Sequence, residues 1–297
     1  MVNKAKKQKT LILDSDLSKA QAWEGSVSLD KDLMLSDCIN KAPMPKDPRK
    51  MNFILIGLCT RGQLRYRIDG KDQVINSGDI LIVSEHQVID GYKPSRTMEG
   101  LCIMMSVNFF HEIIKSVHDV SSLFVFARTQ PVMKLEQREC DAFKEYFAVI
   151  KQKISDTDNH FRKDLIRTLL LAMFYDVGNI IYRARNYGEA QIPSEKVFTR
   201  FLRLVQDNCK HERRVSWYAQ QLSISPKYLS LVVKRISGRT ALEWIENYVT
   251  MELRVVLKNS TKSIKEIAED MNFPNQSFLG KYFKEHVGMT PSKYRKS

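Results

Sequence analysis

A helix–break–helix pattern occurs twice in the last third of the chain, and this duplication constrains the fold more than any other feature. The second copy lies in SIKEIAEDMNFPNQSFLGKYFKEHVGMTPSKYR (263–295). Ser263 and Glu266 have the spacing of a capping box, which predicts a helix start. Pro274 ends that helix and begins another, because proline cannot continue a helix but fits its first turn. Two helices joined by a short break predict a helix-turn-helix. The second helix, about 275–286, is expected to place these residues inward: Phe278, Leu279, Tyr282 and Phe283.

The first copy, VSWYAQQLSISPKYLSLVVKRISG (215–238), has the same order of residue types. Its offset from the second copy is 49 residues in the first helices and 50 in the second helices. Between the copies, Thr240 and Glu243 form another capping box and predict one further helix. Either copy alone is also compatible with an ordinary helical hairpin, but the duplication favours a pair of DNA-binding motifs. The matched pairs are Ala219 and Ala268, Leu222 and Met271, Leu229 and Leu279, Lys234 and Lys284, and Gly238 and Gly288.

Positive charge is concentrated in the same part of the chain. Residues 193–297 contain 19 Lys and Arg against 10 Asp and Glu, a net charge of +9 out of +13 for the whole chain. A cationic domain favours polyanionic partners through counterion release. A basic, solvated surface would give the same count. The positive charge therefore indicates a DNA-binding domain only together with the duplicated motif.

The carboxyl-terminal third resembles the AraC/XylS family of transcription regulators over about 195–297. The similarity lies in SWYAQQLSISPKYLS, the IKEIA run, NFPNQSFLGKYFKEH and the terminal GMTPSKYR. It implies a sequence-specific DNA-binding regulator in which the second helix of each motif enters successive major grooves. The sequence departs from the family pattern at a few positions. Asn272 stands where glycine is usual, and Asn is the residue that best tolerates a left-handed backbone after glycine. The other departures are Leu231, Val233, Val249 and Leu253.

Two sets of residues are predicted to contact double-stranded DNA. Glutamine can bond two atoms of an adenine edge and lysine can donate to guanine, whereas helix starts and lysines suit phosphates. For every position, a capping or solvated residue is the alternative interpretation. The predicted base-reading residues are Lys227, Ser230, Leu231, Gln276, Ser277 and Lys281. The predicted phosphate contacts are Ser225, Lys234, Thr240, Ser263, Lys284 and Thr290.

The first half of the chain predicts short antiparallel strands in a barrel or sandwich. QLRYRID (63–69) alternates apolar and polar residues, and Asp69-Gly70 predicts a hairpin turn. Its G-x-L-x-Y-x-I-x-G segment and the SGDILIV run resemble the cupin-type amino-terminal domain of the same family. Only His86, next to Glu85, suggests a metal ligand in this region, so no metal site is predicted. The candidates for a small-molecule effector pocket are Tyr66, His86 and Tyr92.

The region beyond the strands has helical periodicity. Phe143, Phe147, Ile150 and Ile154 mark one face of a helix over about 136–154. A second helix, about 161–185, is apolar over much of its circumference, which fits packing within the monomer or a dimer contact; the family resemblance favours the dimer. Residues 186–194 are predicted to be a linker.

The predicted fold class is α+β, with an amino-terminal cupin-like β-barrel, a helical connector and a carboxyl-terminal all-α domain with two helix-turn-helix motifs. The predicted divisions are a basic tail (1–20), the β domain (21–130), the connector (131–190) and the DNA-binding domain (191–297). Five cysteines without CxxC spacing, no secretory signal and no long apolar run predict a cytoplasmic protein outside the membrane. RNA polymerase and a small molecule are candidate partners besides DNA and a second protomer. No cofactor is predicted. The alternative is a cupin-type metal or small-molecule enzyme with a basic anchoring domain.

Overall fold

The computed structural model describes residues 13–15, 17, 23, 25–39, 48–114, 126–128, 130–186 and 193–296. The chain divides into two compact units, the first made of Met1–Val117 and Phe126–Asn179 and the second of His118–Val125 and Ile180–Ser297. Most of the predicted basic tail (1–20) and residues 187–192 of the predicted linker lie outside the described residues.

The described residues of the first unit form two sheets. One has the strand order β1-β4-β9-β6-β7 and the other the order β11-β8-β5-β10-β3-β2, and all pairs except β1 with β4 are antiparallel. The strands are β1 Leu13–Asp14, β2 Ser26–Leu29, β3 Leu33–Ser36, β4 Arg49–Lys50, β5 Phe53–Arg61, β6 Gln63–Ile68, β7 Lys71–Asn76, β8 Asp79–Val83, β9 Val88–Pro94, β10 Glu99–Ser106 and β11 Val132–Lys134.

The alternation predicted for β6 explains how these sheets form a core. Leu64, Tyr66 and Ile68 are buried while the residues between them are more exposed, as expected of a strand with one face against a core. Asp69 and Gly70 both have positive φ, 49° and 79°, as a two-residue hairpin turn requires. The core cluster draws side chains from both sheets, so the β-rich unit predicted from the sequence is confirmed.

Among the described residues, the strands are accompanied by the helices α1 Val107–Ile114, α2 Gln137–Ser155 and α3 Arg162–Asn186. Glu136 and Glu139 form a capping box at the start of α2. The apolar face predicted for α2 is buried. In α3, Leu170, Met173, Phe174 and Val177 are buried, whereas Leu165 and Leu169 are half-buried.

One described helix has the length and apolar composition of a membrane span, although no apolar run in the sequence is long enough to predict one. Arg162–Ala184 is long and apolar enough to cross a bilayer by length and composition, although a core helix of a soluble protein passes the same test. This span contains the LLLAMF run (169–174), which alone is too short to cross a bilayer.

The second unit is helical among its described residues. Its helices are α4 Pro193–Asn208, α5 Val215–Gln221, α6 Pro226–Ser237, α7 Ala241–Asn259, α8 Ile264–Asp270, α9 Gln276–Val287 and α10 Pro291–Lys296. Its core contains large aromatic side chains that are fully buried: Tyr218, Trp244, Phe198, Phe201 and Phe283. The indole Nε1 of Trp244 donates to Ser237 Oγ at 2.8 Å, which satisfies the polar atom of this buried ring.

One inward residue was predicted wrongly. Phe278 is 59% exposed, whereas Leu279 and Phe283 are fully buried. Successive residues of an α-helix are about 100° apart around the axis, so a helix that faces the core with Leu279 and Phe283 turns Phe278 toward solvent.

Candidate nucleic-acid interface

The duplication seen in the sequence extends to the backbone geometry of both turns. Ser223 and Asn272 occupy matched positions and have φ values of 56° and 53°. The amide of Ile224 donates to Ala219 O at 3.0 Å, and the matched amide of Phe273 donates to Ala268 O at 2.7 Å. The left-handed conformation expected at Asn272 is therefore present. The two turns therefore have the same backbone conformation and the same backbone hydrogen bond, although their side chains differ.

The helices that follow the turns also begin and end alike. Ser225 Oγ accepts from the amide of Tyr228 at 3.2 Å, and Asn275 Oδ1 accepts from the amides of Ser277 and Phe278 at 3.0 Å each. Gly238 and Gly288 end α6 and α9 in the left-handed conformation. The cap at Asn275 was missed in the sequence, although asparagine directly before a helix is a recognisable signal.

All six predicted base-reading residues lie on exposed parts of α6 and α9. Lys227, Ser230 and Leu231 are exposed on α6, as are Gln276, Ser277 and Lys281 on α9. The opposite side of each helix is buried in the second unit, through Leu229 and Val233 in α6 and Leu279 and Phe283 in α9. Each helix therefore presents its candidate contacts to solvent while its apolar side holds it in the unit.

The predicted phosphate contacts differ in their electrostatic surroundings. Lys234 and Lys284 are exposed in the last turns of α6 and α9. Ser225 begins a helix with no acidic residue in its first turn. Thr290 Oγ1 accepts from the amide of Lys293 at 3.3 Å, and α10 also lacks an acid in its first turn. These four positions are compatible with an approaching anion.

The other two predicted phosphate contacts have a carboxylate beside them. The amide of Thr240 donates to Glu243 Oε2 at 2.6 Å, and the amide of Ser263 donates to Glu266 Oε2 at 2.7 Å. Hydrogen bonds from Ser263 lower the pKa of Glu266, so this carboxylate is charged at neutral pH. A negative charge at the helix start opposes a phosphate there, which makes Thr240 and Ser263 weaker candidates than Ser225 and Thr290.

Arg213 connects the two motifs, and no pattern in the sequence pointed to it. Its Nη1 donates to Asn272 O at 3.0 Å, and Nη2 donates to Met271 O. Asn272 Nδ2 in turn donates to His211 O at 2.8 Å. The segment that precedes α5 is thus hydrogen-bonded to the turn of the second motif.

The first unit has an apolar cavity of about 40 Å³ that is lined mainly by side chains of its strands. Tyr66 and Tyr92 both line it, and their rings pack edge to face with centroids 5.6 Å apart. Tyr92 Oη donates to Ile39 O at 2.9 Å, and burial raises the pKa of Tyr92 to about 12. Burial raises the pKa of Tyr66 as well. Two of the three predicted pocket residues are therefore brought together by the fold.

His86 lies apart from this cavity, in the turn between β8 and β9 with a φ of 65°. Its amide donates to Met51 O at 2.8 Å, and its Nε2 is 3.8 Å from Glu85 Oε2. The fold also places His111 Nε2 3.9 Å from Glu85 Oε1, a proximity that the sequence did not reveal. Within the described part of the chain no three His, Cys, Asp or Glu side chains are arranged to hold a metal ion.

Two family models match the chain. An AraC-like ligand binding domain matches residues 45–170, and a helix-turn-helix domain matches residues 218–297. The first model includes α2 and part of α3, which the sequence analysis assigned to a separate connector.

The chain is also similar to curated relatives and to solved structures. The regulatory protein PocR of Salmonella typhimurium is 26% identical over 103 residues, covering 35% of this chain and 34% of PocR. The arabinose operon regulatory protein of the same organism is 26% identical over 77 residues, covering 26% of this chain and 27% of that protein. ToxT of Vibrio cholerae has a TM-score of 0.35 and 13% identity, covering 90% of this chain and 98% of ToxT.

The matched segments thus span about a third or less of these two curated relatives. What the relatives regulate therefore does not transfer to this chain. The family assignment depends instead on two features of this chain itself. These are the order of the two matched models and the duplicated helix-turn-helix motif. The chain belongs to the AraC/XylS family of transcription regulators.

Proposed function

We propose that this protein is a sequence-specific DNA-binding transcription regulator controlled through its amino-terminal domain. The observation that supports this most directly is the pair of helix-turn-helix motifs with matched turns, matched caps and exposed outward faces on α6 and α9. A single motif would fit many helical hairpins, whereas two copies with exposed lysines on their outward faces suit two grooves of one duplex.

In this proposal α6 and α9 enter successive major grooves on one side of the DNA. Gln276 and Lys281 bond base edges, because an amide pairs with adenine and an ammonium donates to guanine. Ser277, Ser230 and Lys227 face the same grooves. Lys234, Lys284, Ser225 and Thr290 contact phosphates and hold the register, without reading sequence themselves.

The amino-terminal domain would control DNA binding through a ligand. Its cavity of about 40 Å³ has room for about three water molecules, so a larger effector must displace lining side chains. A ligand regulates only if it binds one arrangement of the protein better than another, and operator DNA must then change ligand affinity by the same factor. Tyr66 and Tyr92 offer the polar groups of the cavity, and His86 would require the turn that holds it to move.

We further propose a division of labour along the chain and a homodimer. Residues 21–130 sense the effector, 131–190 connect and dimerise, and 191–297 bind DNA; the tail (1–20) adds positive charge.

The dimer is supported by aromatic side chains that are exposed at the start of α3 and along it. Phe161 is 68% exposed and Tyr175 is 44% exposed. The regulator acts in the cytoplasm, where the DNA is found. RNA polymerase is its further partner there.

The direct test is selection of binding sites from random duplex DNA by the full chain, followed by footprinting of the selected site. We expect one preferred sequence and protection of two major-groove segments about one helical turn apart. A footprint that forms equally on any sequence would identify a nonspecific DNA-binding protein instead. Isothermal titration of candidate effectors, with and without the selected DNA, then tests the predicted reciprocal coupling.

A further inference from the structure

Leu231 is an exposed leucine on a helix that buries its other aliphatic side chains. Its exposed fraction is 64%, against 0% for Leu229, 1% for Val232 and 0% for Val233. Isolated exposed leucines are common and need no explanation by themselves. Leu231 differs because of its place in the duplicated motif, on the outward face of the first reading helix.

The second copy has a lysine at the matched position. The 50-residue offset pairs Leu231 with Lys281, while Lys234 pairs with Lys284 and Tyr228 with Phe278. Lys227 and Lys234 lie one turn before and one turn after Leu231, and both are exposed. The two outward faces thus share a cation in their last turn and an exposed aromatic near their start, and they differ at the central position.

This difference has a chemical consequence at the floor of a major groove. Lysine donates hydrogen bonds to guanine, whereas leucine has no donor or acceptor and gains only by burying apolar surface. In unmodified DNA, the apolar group exposed in the major groove is the 5-methyl of thymine. Flanking lysines attract the phosphates and so bring the leucine to the bases.

We propose that the first motif selects thymine through Leu231, whereas the second motif reads its bases by hydrogen bonds from Gln276 and Lys281. Tyr228, which is 40% exposed, adds apolar surface beside Leu231. The proposal rests on the DNA-binding function proposed above and adds a substrate preference to it. It makes the binding site asymmetric, with thymine methyls required in one groove segment and dispensable in the other.

The experiment uses the full chain and the site obtained by selection. Each thymine is replaced by deoxyuridine, which removes the methyl and keeps the base-pairing edge. We expect one or two positions in the segment contacted by α6 to lose affinity by about fourfold per methyl. Leu231→Ala should bind the thymine and deoxyuridine duplexes equally. Leu231→Lys, which copies the second motif, should shift the selected base at that position from thymine to guanine.

Leu242→Ala is the control, because Leu242 is an exposed leucine (47%) outside the two reading helices. It should retain the parent's sensitivity to deoxyuridine. Thermal unfolding checks that each variant is folded. We expect all of them to fold, because the substituted residues are exposed. Failure to bind any DNA would contradict the proposed function itself. Specific binding that ignores the thymine methyls, or a Leu231→Ala variant that stays sensitive to them, would overturn the thymine proposal and leave the regulator intact.

Discussion

The guanidinium carbon of Arg213 lies 3.9 Å from the centroid of the Phe273 ring. Arg213 precedes the first helix-turn-helix motif, and Phe273 belongs to the turn of the second. Together with the hydrogen bonds from Arg213 to Asn272 O and Met271 O, this contact links the two motifs within one unit. Burial lowers the pKa of Arg213, yet an arginine stays charged at any physiological pH. We therefore expect Arg213 to contribute to the spacing between α6 and α9.

Arg213→Ala should destabilise the protein by about 2 kcal/mol, because it removes a cation–π contact and two hydrogen bonds, the one to Met271 O part-buried and the one to Asn272 O exposed. Denaturant unfolding measures this loss. Arg203→Ala is the matched control, since Arg203 is an exposed arginine on α4 of the same unit. It should cost well under 1 kcal/mol. Equal losses in the two variants would show that Arg213 does not hold the motifs together.

Gly280 and Gly288 should respond oppositely to alanine. A Cβ added at either residue meets nothing within 4 Å, so neither substitution creates a clash. Gly280 lies inside α9, where alanine is favoured over glycine by about 1 kcal/mol. Gly288 has a φ of 81°, where a Cβ costs about 1–2 kcal/mol. We expect Gly280→Ala to raise the free energy of unfolding and Gly288→Ala to lower it. The same sign for both would refute the backbone argument.

Glu212 should make stability sensitive to acid. Its hydrogen bonds from Arg214, at 2.6 Å and 3.0 Å, lower its pKa to about 2. A depressed carboxylate pKa stabilises the folded state above the unfolded pKa, about 4.5, and this stabilisation disappears as the pH falls toward 2. Because solvent partly screens the ion pair, we expect it to contribute about 1 kcal/mol to the free energy of unfolding at neutral pH. Urea unfolding between pH 6 and pH 3 should show a smaller acid-induced loss for Glu212→Gln than for the parent. Parallel pH profiles would contradict the prediction.

Lys284→Ala should weaken binding to all DNA sequences alike. Loss of one phosphate contact lowers the slope of log K against log salt concentration by about 0.9. Titrations of the selected site and an unrelated duplex at several salt concentrations measure both effects. Lys71→Ala, on β7 of the other unit, removes the same charge and should leave the slope unchanged. A loss confined to one sequence would mean that Lys284 reads bases.

The sequence alone determined the elements whose signals are local. Capping boxes, the position of Pro274 and the apolar periods of β6 and α2 depend on residues a few positions apart. Backbone geometry follows directly from such neighbours. The repeat added a second, independent signal, so both motifs and the family could be inferred before any coordinates. The left-handed turn at Asn272 was predictable for the same reason, because few residue types tolerate it.

Only the tertiary structure decided which side chains meet across long stretches of sequence. Phe278 has an apolar side chain and helical spacing, yet the direction in which α9 faces its neighbours leaves it exposed. Arg213 and Phe273 are 60 positions apart, and Glu85 and His111 are 26 apart, with nothing local to pair them. Tyr66 and Tyr92 share a cavity because β6 and β9 are neighbours in one sheet, while His86 is held away by its turn. Periodicity determines which residues share a face of an element, but packing between elements decides what that face touches.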